Sequence, residues 1–231
     1  MPRTIVIGDV HGCSVELSEL LCRVSPKDSD KLVFVGDLIG RGPDPRGVLS
    51  IVEQCGAVAV QGNHERRLLE VRAAGTGRKS RLGPGHRRMM ASFTDADWRV
   101  IENMPLYHDL PEHNLCVVHA GLDPRRGLPE QDPWVLTHIR SFDDQGEPSH
   151  RDGVSSWSAT YKGPKHVVFG HNALRGLQLH EHATGLDSGC VYGGSLSALI
   201  LSAGEVIRGV AERREQIISV PAKRQYFDPS L

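Results

Sequence analysis

The stretch Thr4-Ile-Val-Ile-Gly-Asp-Val-His-Gly12 decides how the rest of the chain is read. Thr4 to Ile7 is β-branched throughout and suits a strand buried on both faces. Gly8 to Gly12 then makes a tight turn carrying Asp9 and His11, two side chains able to hold a metal ion. Ser14 to Val24 follows, with Val15, Leu17, Leu20, Leu21 and Val24 at mostly helical spacing.

This unit of strand, polar turn and helix recurs. Leu32-Val-Phe-Val35 predicts a second buried strand, ending in Gly36-Asp37. Pro45 to Cys55 predicts a helix with Asp44 as its N-cap and Pro45 at the first helical position. Ala57-Val-Ala-Val60 predicts a third strand, ending in Gly62-Asn63-His64-Glu65, with a helix from about Glu65 to Ala74. Three such units in a row argue for an α/β arrangement with parallel strands.

Further along, Gly75 to Arg88 is rich in Gly, Arg and Lys and reads as a loop, a basic insertion or flap around 75–90. Thr94-Asp-Ala-Asp97 predicts a capped helix running toward Asn103. Leu115-Cys-Val-Val118 is another apolar strand, ending in His119-Ala-Gly121. Trp134 to Phe142 is expected to be helical. His166-Val-Val-Phe169 predicts a strand ending in Gly170-His171. Ser195 to Leu201 and Glu205 to Val210 are expected to pair as a hairpin around Ala203-Gly204. No repeat, low-complexity linker or internal boundary stands out, so the 231 residues are expected to form a single domain.

Composition narrows the class. Hydrophobic residues make up 39% and charged residues 24%, a soluble globular balance. A net charge of -1 carries no polyelectrolyte signature, so any basic site is local. The five cysteines, Cys13, Cys22, Cys55, Cys116 and Cys190, are odd in number and form no CxxC pair. That argues against a disulfide framework or a zinc–thiolate site and for reduced thiols in a cytoplasmic protein. No signal peptide is visible, and no apolar run approaches the roughly 20 residues that span a bilayer. No membrane partner is expected.

Five apolar strands therefore end in Gly plus a metal-capable residue, or in His plus small residues. In α/β folds, ligands gather at the carboxyl ends of strands. A lone Gly-Asp is more often a turn, because Asp satisfies local backbone donors. A lone strand-end His is usually a surface or core residue. Five together exceed what turn chemistry explains. The donors are Asp9, His11, Asp37, Asn63, His119 and His171. Mixed oxygen and imidazole ligands suit Mn, Fe, Zn, Co or Ni, whereas soft copper sites want sulfur. Two divalent ions roughly 3.5–4 Å apart need a bridging carboxylate, and such a pair acidifies a bridging water and clamps phosphoryl oxygens.

Gly8-Asp-Val-His-Gly12, Gly36-Asp37 through Arg41-Gly-Pro-Asp44, Gly62-Asn-His-Glu65, His119-Ala-Gly121 and Gly170-His171 resemble, in order and spacing, the calcineurin-like metallophosphoesterase signature. The closer likeness is to its phosphoprotein phosphatase branch, which also holds bacterial symmetrical dinucleoside tetraphosphatases. It runs from residue 4 to about residue 201. The resemblance implies a four-layer αββα sandwich of two mixed β-sheets flanked by helices. It implies that Asp9, His11 and Asp37 hold one metal, that Asp37 bridges, and that Asn63, His119 and His171 complete the second. Manganese is the first expectation. Arg41 would clamp the substrate phosphate, with Asn63 and His64 beside it, and His64 would protonate the leaving group. Arg140 sits where the family usually has a second phosphate-binding Arg, with a surface Arg on a helix as the alternative reading.

One departure bears on substrate. Phosphoprotein phosphatases place an Asp immediately before the phosphate-binding Arg, where it orients the acid His. Here that position is Gly40. A phosphate leaving group needs less acid help than an alkoxide, so the sequence leans toward phosphoanhydrides. Leu186-Asp-Ser-Gly-Cys-Val-Tyr-Gly-Gly194 resembles the corresponding dinucleoside tetraphosphatase segment. Within it Asp187 reads as a metal-supporting carboxylate or a turn residue, and Tyr192 as core packing or a base-stacking ring.

The expected function is thus direct attack on phosphorus by a metal-bridged hydroxide, on a nucleotide polyphosphate such as a dinucleoside polyphosphate. A Ser/Thr phosphoprotein phosphatase is the alternative. A non-catalytic nucleotide-binding regulator is the alternative from another class, and Arg41 with His64 argues against it. Arg78, Lys79, Arg81, Arg87 and Arg88, after Arg66, Arg67 and Arg72, form a solvated basic loop or a flap attracting polyanions. Few interleaved aromatics and the near-zero net charge argue against nucleic acid.

Overall fold

The computed structural model describes residues 1–74, 82–153 and 155–228. The first sheet grows from the opening stretch. Strands β1 (Arg3–Ile7), β2 (Lys31–Phe34) and β3 (Val58–Ala59) run parallel, each followed by a helix: α1 (Ser14–Val24), α2 (Pro45–Gln54) and α3 (Asn63–Ala73). Asp44 caps α2, its carboxylate accepting the Gly47 N–H at 2.9 Å, and Pro45 leads the helix. Helices α4 (Pro84–Ser92) and α5 (Asp95–Glu102) follow. Thr94 and Asp97 exchange the two bonds of a capping box at the start of α5.

The second sheet comes from β4 (Tyr107–Leu110), β5 (Leu115–Val118), β8 (His166–Phe169), β9 (Gln178–Leu179) and β10 (Ala183–Gly185). Between β5 and β8 lie helices α6 (Pro133–His138) and α7 (Trp157–Thr160), and the small hairpin of β6 (Ser141–Phe142) with β7 (Pro148–Ser149). The chain then returns to the first sheet through β11 (Ser195–Ser202) and β12 (Ile217–Pro221). The orders are β12-β11-β1-β2-β3 and β4-β5-β8-β10-β9, both mixed.

Strand alternation sorts three apolar layers. Ile5 and Ile7 of β1 face Leu17, Leu20, Val48 and Leu49 of the helices, while Val6 faces the other sheet. In β5, Leu115 and Val117 point between the sheets, and Cys116 and Val118 point outward to Leu136, Ile139 and Trp157. The layers are helix, sheet, sheet, helix, as the resemblance implied.

Three local expectations change. Of the segment 75–90 expected as a loop, Arg78, Lys79 and Arg81 lie outside the described residues, and Pro84–Ser92 is helical. Pro at the first helical position starts α4, and Met89 and Met90 pack on the core although no residue of the helix is fully buried. The expected helix from Trp134 to Phe142 stops at His138, so Arg140 lies in an extended connection leading into β6. The partner of β11 is β12, in place of Glu205–Val210. β12 lies at the sheet edge, where Pro221 costs no ladder bond. All five cysteines are unpaired. Among the described residues, no helix is long and apolar enough to cross a membrane.

Candidate metal centre

The connections after β1, β2, β3, β5 and β8 meet where the two sheets approach. Asp9 and His11 follow β1, Asp37 follows β2, Asn63 opens α3 after β3, His119 follows β5 and His171 follows β8. The central strands β1 and β8 of the two sheets are tied there, and β8 to its neighbour β5. The His171 N–H donates to Asp9 Oδ2 at 3.0 Å, and the Gly170 N–H to the His119 carbonyl at 2.7 Å. A Cβ at Gly170 would lie 1.9 Å from Asp9 Oδ1, so only glycine lets the sheets close this far.

Asp37 is at the middle. Its Oδ2 is 3.6 Å from His11 Nε2 and 3.5 Å from His119 Nε2. His11 Nδ1–H donates to the Ile39 carbonyl at 3.1 Å, and His119 Nδ1–H to the Val35 carbonyl at 2.9 Å. Both rings are thereby held with the Nε2 lone pair facing Asp37. Asn63 Oδ1 lies 3.0 Å from His119 Nε2 and 3.0 Å from His171 Nδ1. Two lone-pair atoms, His119 Nε2 and Asn63 Oδ1, thus face each other, an arrangement that a cation relieves.

The electrostatics ask for the same thing. Asp9, Asp37 and Asp187 are all buried. Burial, then the charges of Asp187 and Asp37, holds the Asp9 carboxyl well above the usual range. Burial pushes Asp37 up to about 7 and Asp187 up to about 6. Burial also holds His11, His64 and His171 well below the usual imidazole range and takes His119 down to about 4. Neutral imidazoles beside strained carboxyls form a donor set that fits divalent cations. Any of the oxygen- and nitrogen-binding transition metals suits it.

The backbone is strained at the same place. Among the described non-glycine residues, left-handed φ occurs at His11 (47°), Ser25, Asp37 (48°), Arg41 (62°), Asn114 and His171 (69°). Four of these six line the centre. Each such residue costs roughly 1–3 kcal/mol, and such strain concentrates at functional sites.

Comparison with known proteins agrees. Residues 2–205 match the family model of the calcineurin-like phosphoesterases. The chain belongs to the calcineurin-like phosphoesterase family. Among curated relatives, bis(5'-nucleosyl)-tetraphosphatase PrpE [asymmetrical] of Halalkalibacterium halodurans is 32% identical over 221 residues, covering 84% of this chain and 88% of that one. The protein of the same name from Anoxybacillus flavithermus is 32% identical over 223 residues with the same coverage. A crystal structure provisionally assigned as a diadenosine tetraphosphatase superposes with a TM-score of 0.80 at 37% identity, over 96% of each chain. This calcineurin-like phosphoesterase is a metal-dependent phosphatase.

In this phosphoesterase, Arg41 reaches the centre directly, its Nη1 donating to His11 Nε2 at 2.7 Å. His64 is buried, and its backbone N–H donates to Asp37 Oδ1 at 3.0 Å. Its ring Nδ1 is buried with no hydrogen-bond partner among the described residues. It meets His11 edge-on at 4.9 Å and stacks on His86 at 5.7 Å. A cavity of about 840 Å³ opens beside Arg41, Asn63 and His64. Arg140 lies on the other side, in a cleft shared with Trp134, His138, His150 and His171, and pairs with Asp152 at 3.1 Å. Asp187 stands within hydrogen-bonding reach of Asp9 and accepts the Gly189 N–H at 3.1 Å. Tyr192 packs on the core, one of its two sequence readings, and also lines the cavity.

Sequence reasoning gave no role to Glu65, His86 or Phe227. Glu65 is fully buried and accepts the N–H groups of Asp37, Ile39 and Gly62 at 3.0, 3.2 and 3.0 Å. It fixes the turn after β2 against the start of α3. Its position three residues after the N-cap Gly62 was a legible signal.

Proposed function

We propose that this phosphatase hydrolyses a phosphoanhydride bond of dinucleoside polyphosphates. Asp9, His11, Asp37, Asn63, His119 and His171 hold two divalent ions, with manganese the first candidate. The observation that carries this reading is Asp37 Oδ2, nearly equidistant from two imidazoles of opposite sheets, the geometry of a bridging oxygen. Such a metal pair supplies Lewis acidity that clamps phosphoryl oxygens and lowers the pKa of water.

The chain's own groups do the rest. Arg41 presents a planar fork to the non-bridging phosphoryl oxygens, oriented by its left-handed backbone. His64, kept neutral by burial in the free enzyme, would take up a proton as the anionic substrate enters and hand it to the departing oxygen, and Asn63 orients the same phosphoryl group. Arg140, sharing a cleft with His171, meets a phosphate beyond the scissile one. Asp187 supports Asp9. His64 acts without a carboxylate at position 40, which suits a phosphate leaving group better than an alkoxide. The tetraphosphatase names of the relatives support the same substrate class. Unpaired cysteines suit a cytoplasmic setting.

The test compares diadenosine tetraphosphate with a phosphoserine peptide, with manganese present and after chelation. Faster turnover of the tetraphosphate, lost on chelation, is expected. Faster turnover of the peptide would replace this reading with a phosphoprotein phosphatase.

A further inference from the structure

The cavity beside the metal centre has two unlike walls. One carries the cations Arg67 of α3 and Arg88 of α4, with the imidazole of His86 beside them. The other is aromatic: Tyr192 and Phe227, edge to face with ring centroids 6.1 Å apart. Arg41 joins the aromatic wall to the centre. Its guanidinium carbon is 5.6 Å from the Tyr192 ring and 5.9 Å from the Phe227 ring, while its Nη1 reaches His11. Phe227 is 39% exposed, so a large apolar ring is left open to the cavity.

Phe227 comes from the far end of the chain, and an unusual fastening holds it there. Glu16 of α1 is fully buried, which is costly for a carboxylate without partners. Its Oε1 accepts the Lys223 N–H and the Tyr226 hydroxyl, each at 2.8 Å. Lys223 Nζ pairs with Glu19 on the same helix. The Val191 carbonyl accepts the N–H groups of Tyr226 and Phe227 at 2.9 and 3.0 Å. The strap 222–227 is therefore pinned to α1 on one side and to the Tyr192 segment on the other. Its last described aromatic completes the cavity wall.

We propose that Tyr192 and Phe227 form a stacking site for one nucleobase of the substrate, and that Glu16 and Tyr226 are positioning residues that fasten Phe227 into it. This inference rests on the nucleotide reading above. A nucleobase offers a π-face to the aromatic wall, and the phosphates attached to it run past Arg41 toward the centre and the cationic wall. An inorganic polyphosphate has the second feature and lacks the first.

The experiment measures competitive inhibition of aryl phosphate hydrolysis by ADP and by inorganic pyrophosphate, at fixed free manganese. In the wild type, ADP is expected to compete better than pyrophosphate. Phe227→Ala and Tyr192→Ala are each expected to raise the ADP inhibition constant about ten-fold, the scale of one base stacked on one aromatic ring, with pyrophosphate moving less than about two-fold. Tyr226→Phe, which removes only the hydroxyl fastening, is expected to move ADP in the same direction by less. Equal competition by the two anions in the wild type, or variants that move both alike or neither, overturns the proposal. Wild-type turnover of diadenosine tetraphosphate separately scores the reading beneath it.

Discussion

A Cβ placed at Gly40 would stand 2.4 Å from the Nδ1 of His64. The two residues occupy each other's space, and at φ +86° the Gly40 backbone disfavours any larger side chain. The ring nitrogen is buried and has no partner among the described residues. His64 is thus pressed against the chain where a carboxylate would otherwise orient it, and stacks on His86 instead.

Replacing His64 by Ala should therefore cost unequal amounts on different substrates. Removing a general acid typically costs 10²-fold or more. About that loss in kcat is expected on a phosphoserine peptide, whose leaving group needs the proton, and a clearly smaller one on diadenosine tetraphosphate. Equal losses in steady-state kinetics would show that His64 serves some other purpose.

Asp37→Asn removes the negative charge between His11 and His119 while keeping the side-chain shape. Bound metal, measured by mass spectrometry after gel filtration, should drop from two ions per chain toward one. Turnover should fall at least roughly 100-fold. Two tightly held ions in the variant would mean that another residue bridges.

In the metal-free protein the buried carboxyls should contribute less stability as pH rises, while the buried imidazoles, held below their ordinary range, act in the opposite sense up to about pH 6.5. Asp37 is pushed from about 3.8 to about 7, and Asp187 to about 6. Between those limits these two carboxyls hold protons in the folded state that the unfolded state has released, so their contribution falls with pH through the window from about 4 to about 7. Divalent cations replace those protons. The rise in Tm on adding manganese should be larger at pH 8 than at pH 5.5. A rise independent of pH, or larger in acid, would contradict this.

Glu65→Ala should be costly even without metal. It leaves the N–H groups of Asp37, Ile39 and Gly62 without their acceptor and opens a cavity. A loss of about 3 kcal/mol or more in urea denaturation is expected from such unsatisfied donors. A loss under about 1 kcal/mol would show that the turn after β2 is held by other contacts.

Much of this was legible in residue pattern, because the same physics acts locally and globally. Ser14–Val24 reads as a helix from its spacing and is one. Strand ends read as candidate ligand positions because Gly precedes the metal-capable residue, and the reason is now visible at Gly170, pressed onto Asp9. What failed was set by distant partners. Glu205–Val210 has no less strand character than Ile217–Pro221, and pairing with β11 chose the latter. Helix α4 buries no residue fully and opens on Pro84-Gly85 within a basic stretch, so its sequence reads as a loop. Glu16 reads as an ordinary surface acid of an amphipathic helix, since its partners Lys223 and Tyr226 are more than 200 residues away. Phe227 has no meaning until that strap is fastened.

The bond between the His171 N–H and Asp9 spans 162 residues of chain. Asp9 follows a strand of the first sheet and His171 a strand of the second. Closing so long a loop is entropically expensive and follows the local pairings. The candidate centre is therefore completed late in folding, after each sheet has paired with its own neighbours.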